Sequence, residues 1–246
     1  MFSTVEDFYN KRQGSKGAIK LHLGCGSNYL DGWCNIDAHP PKDTDTHRGV
    51  LTTAPDIWCD IKNLPTTDES VDIIFTAHVV EHFYRHSTIN LFREFWRVLR
   101  PNGVIITEMP DLARILLLLR FLPTRPNYPV AMRANRDMIK AQLYGAAWEA
   151  NDEGYPYHKY VWERAEFCEM LSEIGFKILL QTGATQSHVP FRDMAVICVK
   201  PSAAASDAKS EINHAEILAS YGSRAFRAKK QLNSLRNLIV ASFRHS

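Results

Sequence analysis

Gly24 and Gly26, separated only by Cys25, end an apolar run that closes at Leu23. Two glycines so placed let the backbone turn sharply and let a ligand rest against bare main chain. A dinucleotide fingerprint wants a third glycine at position 29, where Tyr29 stands, and an acid about twenty residues further on. Here the acid, Asp37, comes earlier, at the end of the next apolar run. The pattern therefore favours a nucleoside-bearing ligand and disfavours NAD. A carboxylate at position 37 can accept both hydroxyls of a ribose, or simply end its strand. Asp60 follows a third short apolar run. It can accept from an adenine amino group with Ile61 packed on the ring, or serve as the turn aspartate before Asn63-Leu64-Pro65. His78 and His82 flank Val79-Val80-Glu81 and are four apart, the spacing of one helix face. They read as a pair lining a site. In the zinc motif H-E-x-x-H the acid follows the first histidine, whereas Glu81 precedes the second, so no metal ligands are assigned.

These side chains need elements to hold them. Ala18–Leu23, Trp33–Ala38, Ile57–Ile61, Val71–Ala77, Gly103–Met109, Lys177–Thr182 and Met194–Lys200 read as strands. Several are apolar at consecutive positions, as strands buried on both faces of a parallel sheet are. Leu91, Phe92, Phe95, Val98 and Leu99 form one helical stripe, with Ser87 or Thr88 to cap its start. Phe167, Met170, Leu171 and Ile174 form another, ended by Gly175. Strands alternating with helices predict a doubly wound α/β sheet. Only Cys25–Gly32 separate the first two strands, so the first helix is reduced to about a turn. Residues 111–160 exceed any ordinary connection and are crowded with Tyr, Trp, His and Pro, which suggests a folded cap over a site.

The chain has 246 residues, 45% hydrophobic and 23% charged, with 29 Lys and Arg against 27 Asp and Glu. That is the make-up of a folded protein, and a net charge of +2 excludes bulk nucleic-acid binding by charge alone. Residues 201–246 carry seven basic and three acidic side chains, a basic tail on a near-neutral body. Residues 201–207 read as a linker. Beyond it Leu218, Tyr221, Ala225, Ala228, Leu232, Leu235 and Ile239 follow a heptad seam. The tail, 208–246, suits packing on its own body, contact with a second copy or partner, or a membrane surface. Five cysteines without a C-x-x-C pair suggest no disulfide framework. With no signal peptide and no apolar run long enough to cross a bilayer, the cytoplasm is the expected location.

The run Leu21-His22-Leu23-Gly24-Cys25-Gly26, then Gly32-Trp33-Cys34-Asn35-Ile36-Asp37, then Asp60-Ile61 with Leu64-Pro65, resembles a class I S-adenosylmethionine-dependent methyltransferase. Asp68-Glu69-Ser70-Val71-Asp72 leading to His78-Val79-Val80-Glu81-His82, and Phe92-Arg93-Glu94 through Pro101-Asn102-Gly103, are similar to the type 11 branch. The short first link resembles small bacterial members often found beside polysaccharide-building enzymes. The resemblance implies a Rossmann-like, mostly parallel seven-stranded sheet with an antiparallel last strand, complete within residues 1–200. It implies S-adenosyl-L-methionine as cofactor and S-adenosyl-L-homocysteine as product. It places Gly24, Cys25 and Gly26 against the methionine part, Asp37 on ribose, Asp60 and Ile61 on adenine, and His78 beside the cofactor. Ser27-Asn28 stands where the family often has a third glycine. Methyl transfer to oxygen needs a proton taken from the acceptor, for which His82 and His158 are the candidates. Tyr155, Tyr157 and Trp162 offer flat faces for a sugar or small aromatic acceptor. The leading expectation is O-methylation of a saccharide precursor or metabolite. A catalytically silent cofactor-binding partner subunit is the alternative, and an NAD-dependent oxidoreductase a remote one.

Overall fold

A computed structural model describes residues 2–12, 17–26, 28–38, 54–121, 139–145, 157–183, 192–202, 214 and 217. Its centre is a seven-stranded sheet built from β1 (Lys20–Leu23), β2 (Cys34–Asp37), β3 (Ile57–Trp58), β4 (Val71–Ala77), β5 (Leu99–Pro110), β6 (Lys177–Gly183) and β7 (Asp193–Val199). The order across the sheet is β3-β2-β1-β4-β5-β7-β6. β1 to β5 run parallel, and β7 runs antiparallel to both β5 and β6. This is the doubly wound sheet expected from the alternation of elements. The order reverses at β1, and ligands bind such sheets outside the carboxyl ends of the strands at that reversal.

The strands are apolar because both faces are covered. β2 and β7 are buried at every position. On one face α1 (Val5–Arg12), α2 (Arg85–Val98) and α5 (Arg164–Ile174) join the main core. The α2 stripe holds through Val98, while Leu99, also read into it, opens β5: Leu91, Phe92, Phe95 and Val98 are fully buried, and Phe92 meets Phe95 and Phe167 edge-on at 5.1 and 5.4 Å. Gly175 ends α5 in the left-handed conformation at φ 118°. On the other face Phe75, Val104, Ile106, Ala195, Ile197 and Val199 cluster with Leu30, Trp33 and Ile217. Ile217, with His214 Nε2 lying 2.9 Å from the Asn102 carbonyl oxygen, brings two tail residues onto the body. The rest of the 208–246 tail, and 203–207 of the linker, lie outside the described residues.

Several elements depart from the sequence reading. α1 precedes the sheet and was not foreseen. Thr4 Oγ1 caps it by accepting the Asp7 N–H at 3.1 Å, and it buries Val5, Phe8 and Tyr9. Between β1 and β2 the described residues contain no helix, only a turn closed by Asn28 N–H on the Cys25 carbonyl at 2.8 Å. α2 begins at Arg85 after Tyr84, so neither Ser87 nor Thr88 caps it; Thr88 instead donates to the Tyr84 carbonyl from inside the first turn. β3 ends at Trp58, which leaves Asp60 and Ile61 in the following turn. The 111–160 stretch contains α3 (Leu112–Phe121), α4 (139–144) and an irregular segment at 157–160. Residues 122–138 and 146–156, Tyr155 among them, lie outside the described residues. Among the described residues no helix is long and apolar enough to cross a membrane.

Candidate active site

The turn after β1 is locked to the end of β2. Gly24 and Cys25 N–H both donate to the Ile36 carbonyl, at 2.8 and 3.2 Å, and Gly26 N–H donates to Asp37 Oδ2 at 2.8 Å. Both glycines sit in the left-handed region, at φ 65° and 50°. At Gly24 a Cβ would lie 2.3 Å from Val79 Cγ2, so the missing side chain lets the end of β4 close against the end of β1. At Gly26 a Cβ would meet nothing within 4 Å. The turn thus has one glycine that packs and one that opens onto space. Cys25 is buried, and burial pushes its thiol up to about 12, which favours the protonated thiol at neutral pH.

On the far side of β2, Asp60 is half-exposed. Its Oδ1 accepts the Lys62 N–H at 3.0 Å, and its Oδ2 lies 3.1 Å from Lys62 Nζ. Ile61 is only 5% exposed and belongs to the main core. In this conformation the acid ends its own turn, and the isoleucine packs inward rather than lining an open face.

The end of β4 is where the sequence reading needs most correction. His78 adopts φ 55°, and a 3₁₀ turn, Val80–His82, follows it. The two histidines therefore do not share an α-helical face. His78 Nδ1 meets Glu81 Oε1 at 3.0 Å, and its Nε2 lies 3.2 Å from Asp193 Oδ2 in an ion pair without good hydrogen-bond direction. Glu81 and Asp193 are almost wholly buried. Burial alone pushes the His78 pKa down, but the two carboxylates outweigh it and hold the imidazole near 10. The same contacts hold Glu81 and Asp193 below the ordinary carboxylate range against the opposing effect of burial. Arg192 grips Asp193 with two bonds, at 2.6 and 2.8 Å. Asp193 lies far from His78 in sequence, and only the antiparallel pairing of β7 with β5 brings it to this rim.

His82 faces the cap. Lys159 and Tyr160 N–H donate to the Glu81 carbonyl at 2.8 and 3.2 Å, which docks 157–160 on the 3₁₀ turn. That docking sets the His82 and His158 rings edge to face, 5.0 Å apart. His158 Nδ1 lies 2.7 Å from the Gln142 carbonyl oxygen of α4, and His158 Nε2 is 4.0 Å from Glu81 Oε1. Burial lowers the His158 pKa, and Glu81 and the Gln142 carbonyl offset it only in part. A neutral imidazole results, suited to accepting a proton. Of the aromatic faces expected for an acceptor, Trp162 is fully buried and packs edge-on against Tyr160 and Phe167. It is core, and Tyr157 is the exposed ring beside His158.

Comparison with known proteins follows the same lines. Residues 21–107 match the type 11 methyltransferase-domain family model. No curated protein matches the chain. Among solved structures the chain is similar to a Pyrococcus horikoshii protein, at 17% identity over 81% of this chain and 88% of that one, TM-score 0.49. It is also similar to an S-adenosylmethionine-dependent methyltransferase from Archaeoglobus fulgidus, at 15% identity over 78% and 98%, TM-score 0.48. Another from Aquifex aeolicus has 13% identity over 80% and 89%, TM-score 0.42. The pattern from Leu21 to Thr107 is thus matched as a unit and lies within the doubly wound sheet: residues 21–107 of this chain carry a methyltransferase domain.

Proposed function

We propose that this enzyme transfers the methyl group of S-adenosylmethionine to an oxygen of a small acceptor, a saccharide precursor or similar metabolite. The observation that carries the proposal is the neutral, partly buried His158 held against His82 and Glu81 at the end of β4, on the same rim as the glycine turn. In this reading the main chain of Gly24, Cys25 and Gly26 cradles the methionine part and Asp37 accepts the ribose hydroxyls. Asp60 borders the adenine, with Ile61 packed in the core beneath that turn rather than on the ring, and His78 flanks the cofactor. The sulfonium is already a strong electrophile, so alignment supplies much of the acceleration. What remains is removal of the acceptor's proton, the task given to the His82–His158 pair. Residues 1–200 form the catalytic body and 111–160 its acceptor side. The linker and tail are left to pack on the body or meet a second copy or partner.

The test is a mass survey of cell-envelope saccharides and metabolites incubated with the protein and methyl-labelled S-adenosylmethionine. One oxygen-linked labelled methyl group on a single acceptor class is expected. Cofactor binding with no labelled acceptor anywhere favours the silent partner subunit instead.

Asp37 has two measurable jobs. Asp37→Ala removes charge-assisted bonds to ribose worth roughly 1.5–3 kcal/mol each, so cofactor affinity falls by about tenfold or more in calorimetry. It also strips the Gly26 N–H of its acceptor, so the ligand-free protein loses about 1 kcal/mol in denaturant unfolding. A large stability loss with unchanged affinity per folded molecule makes Asp37 purely structural.

A further inference from the structure

We propose that Glu81, His82 and His158 bind a first-row divalent cation. One ligand atom from each lies within 4.8 Å of the other two. Metal bonds of about 2.1 Å put neighbouring donor atoms roughly 3–4 Å apart, so closing the cluster takes a movement of about an ångström.

Each side chain is oriented as a ligand needs to be. His158 Nδ1 faces the Gln142 carbonyl oxygen at 2.7 Å, and His82 Nδ1 faces the Tyr157 carbonyl oxygen at 3.2 Å. A carbonyl only accepts, so Nδ1 is the nitrogen that carries the hydrogen in the neutral tautomer of each ring, and Nε2 is the one that offers a lone pair to a metal. Imidazoles fixed through one nitrogen to a backbone carbonyl are the usual metal-binding arrangement. Independently, Glu81 Oε2 is buried without a hydrogen-bond partner, although Oε1 of the same carboxylate is held by His78. A buried carboxylate oxygen without a partner is costly, and a cation beside it removes the cost. Two imidazole nitrogens and one carboxylate suit zinc or manganese rather than calcium, which prefers an all-oxygen shell. Three protein ligands leave coordination positions open.

The use of such a cation rests on the oxygen-methylation reading, and in its presence the cation replaces the two imidazoles as the group that activates the hydroxyl, because both Nε2 lone pairs are then on the metal; its binding does not rest on that reading. An acceptor hydroxyl in an open position becomes more acidic. Its oxygen lone pair forms the new bond to the methyl carbon and the carbon–sulfur bond breaks. That electron pair neutralises the sulfonium, and the hydroxyl proton leaves to solvent.

The experiment titrates the metal-stripped full chain with Zn²⁺ and Mn²⁺ by calorimetry, and S-adenosylhomocysteine in parallel. One equivalent should bind at micromolar or tighter Kd, weakened about 100-fold or more in both His82→Ala and His158→Ala. His86→Ala, which alters an exposed ring stacked on Tyr84, should bind as the parent does. Absent binding, or binding unchanged in both site variants or lost with His86, overturns the site. Chelator-resistant turnover in a protein that binds no metal overturns it while leaving oxygen methylation standing. Metal binding without S-adenosylhomocysteine binding overturns the methyl-transfer reading and supports the site.

Discussion

His158→Ala lowers kcat by about 10²-fold or more while the Kd for S-adenosylhomocysteine stays within about twofold. The ring's contacts run to Gln142 of α4 and to Glu81 and His82 on the rim, while the backbone N–H donates to the Tyr144 carbonyl. None of these borders the glycine turn, so loss of the imidazole removes proton handling and leaves the cofactor cradle alone. If His158 serves only to order the cap, acceptor affinity and hydrogen-exchange protection across 157–160 fall together with turnover. Unchanged turnover in a well-folded variant removes His158 from the mechanism and moves the proton to His82.

The largest stability effect is expected at His78. His78→Asn costs about 3 kcal/mol or more, because breaking a buried ion pair from one side leaves the other charge stranded. Asparagine tolerates the left-handed backbone at φ 55°, which keeps strain out of the comparison. Arg192 still serves Asp193 after the substitution, so the loss falls on Glu81. The His78 pKa is raised from 6.5 to about 10. Its contribution is therefore complete below pH 6.5 and lost as pH rises through 10. Glu81 and Asp193 are held below their ordinary values of 4.5 and 3.8, so their share is present above those values and lost as pH falls through the lowered ones. Urea unfolding of parent and variant at pH 6, 8 and about 10 should show a difference that shrinks toward the alkaline end. A difference flat across that range means that His78 acts as a neutral packing group.

What the sequence disclosed follows from how local each signal is. Consecutive apolar residues in β4 and β5, the alternating Leu21 and Leu23 of β1, and the one-sided stripe of α2 are local patterns, and each element is found where its pattern lies. Gly26 and Asp37 were legible together because the short β1–β2 link makes them spatial neighbours. α1 was missed although its cap at Thr4 and its acid-first, base-last charges were there to see; its apolar residues are too few to stand out. The His78–His82 pairing failed because helical spacing was assumed across a turn that starts with a left-handed residue. Glu81 looked like a spacer between histidines, and Asp193 like the start of a strand. Only their burial beside His78 gives them a role, and burial depends on the β5–β7 pairing and on the docking of 157–160.

The most direct measurement is calorimetric titration of the purified full chain with S-adenosylhomocysteine and, separately, with NAD. A glycine turn opening onto space at Gly26, tied to Asp37 and lacking a third glycine, is the basis for expecting an adenosyl amino acid rather than a dinucleotide there. Micromolar-range binding of S-adenosylhomocysteine at one site per chain is predicted, with no heat from NAD. Binding of NAD with none of S-adenosylhomocysteine contradicts the assignment of the site.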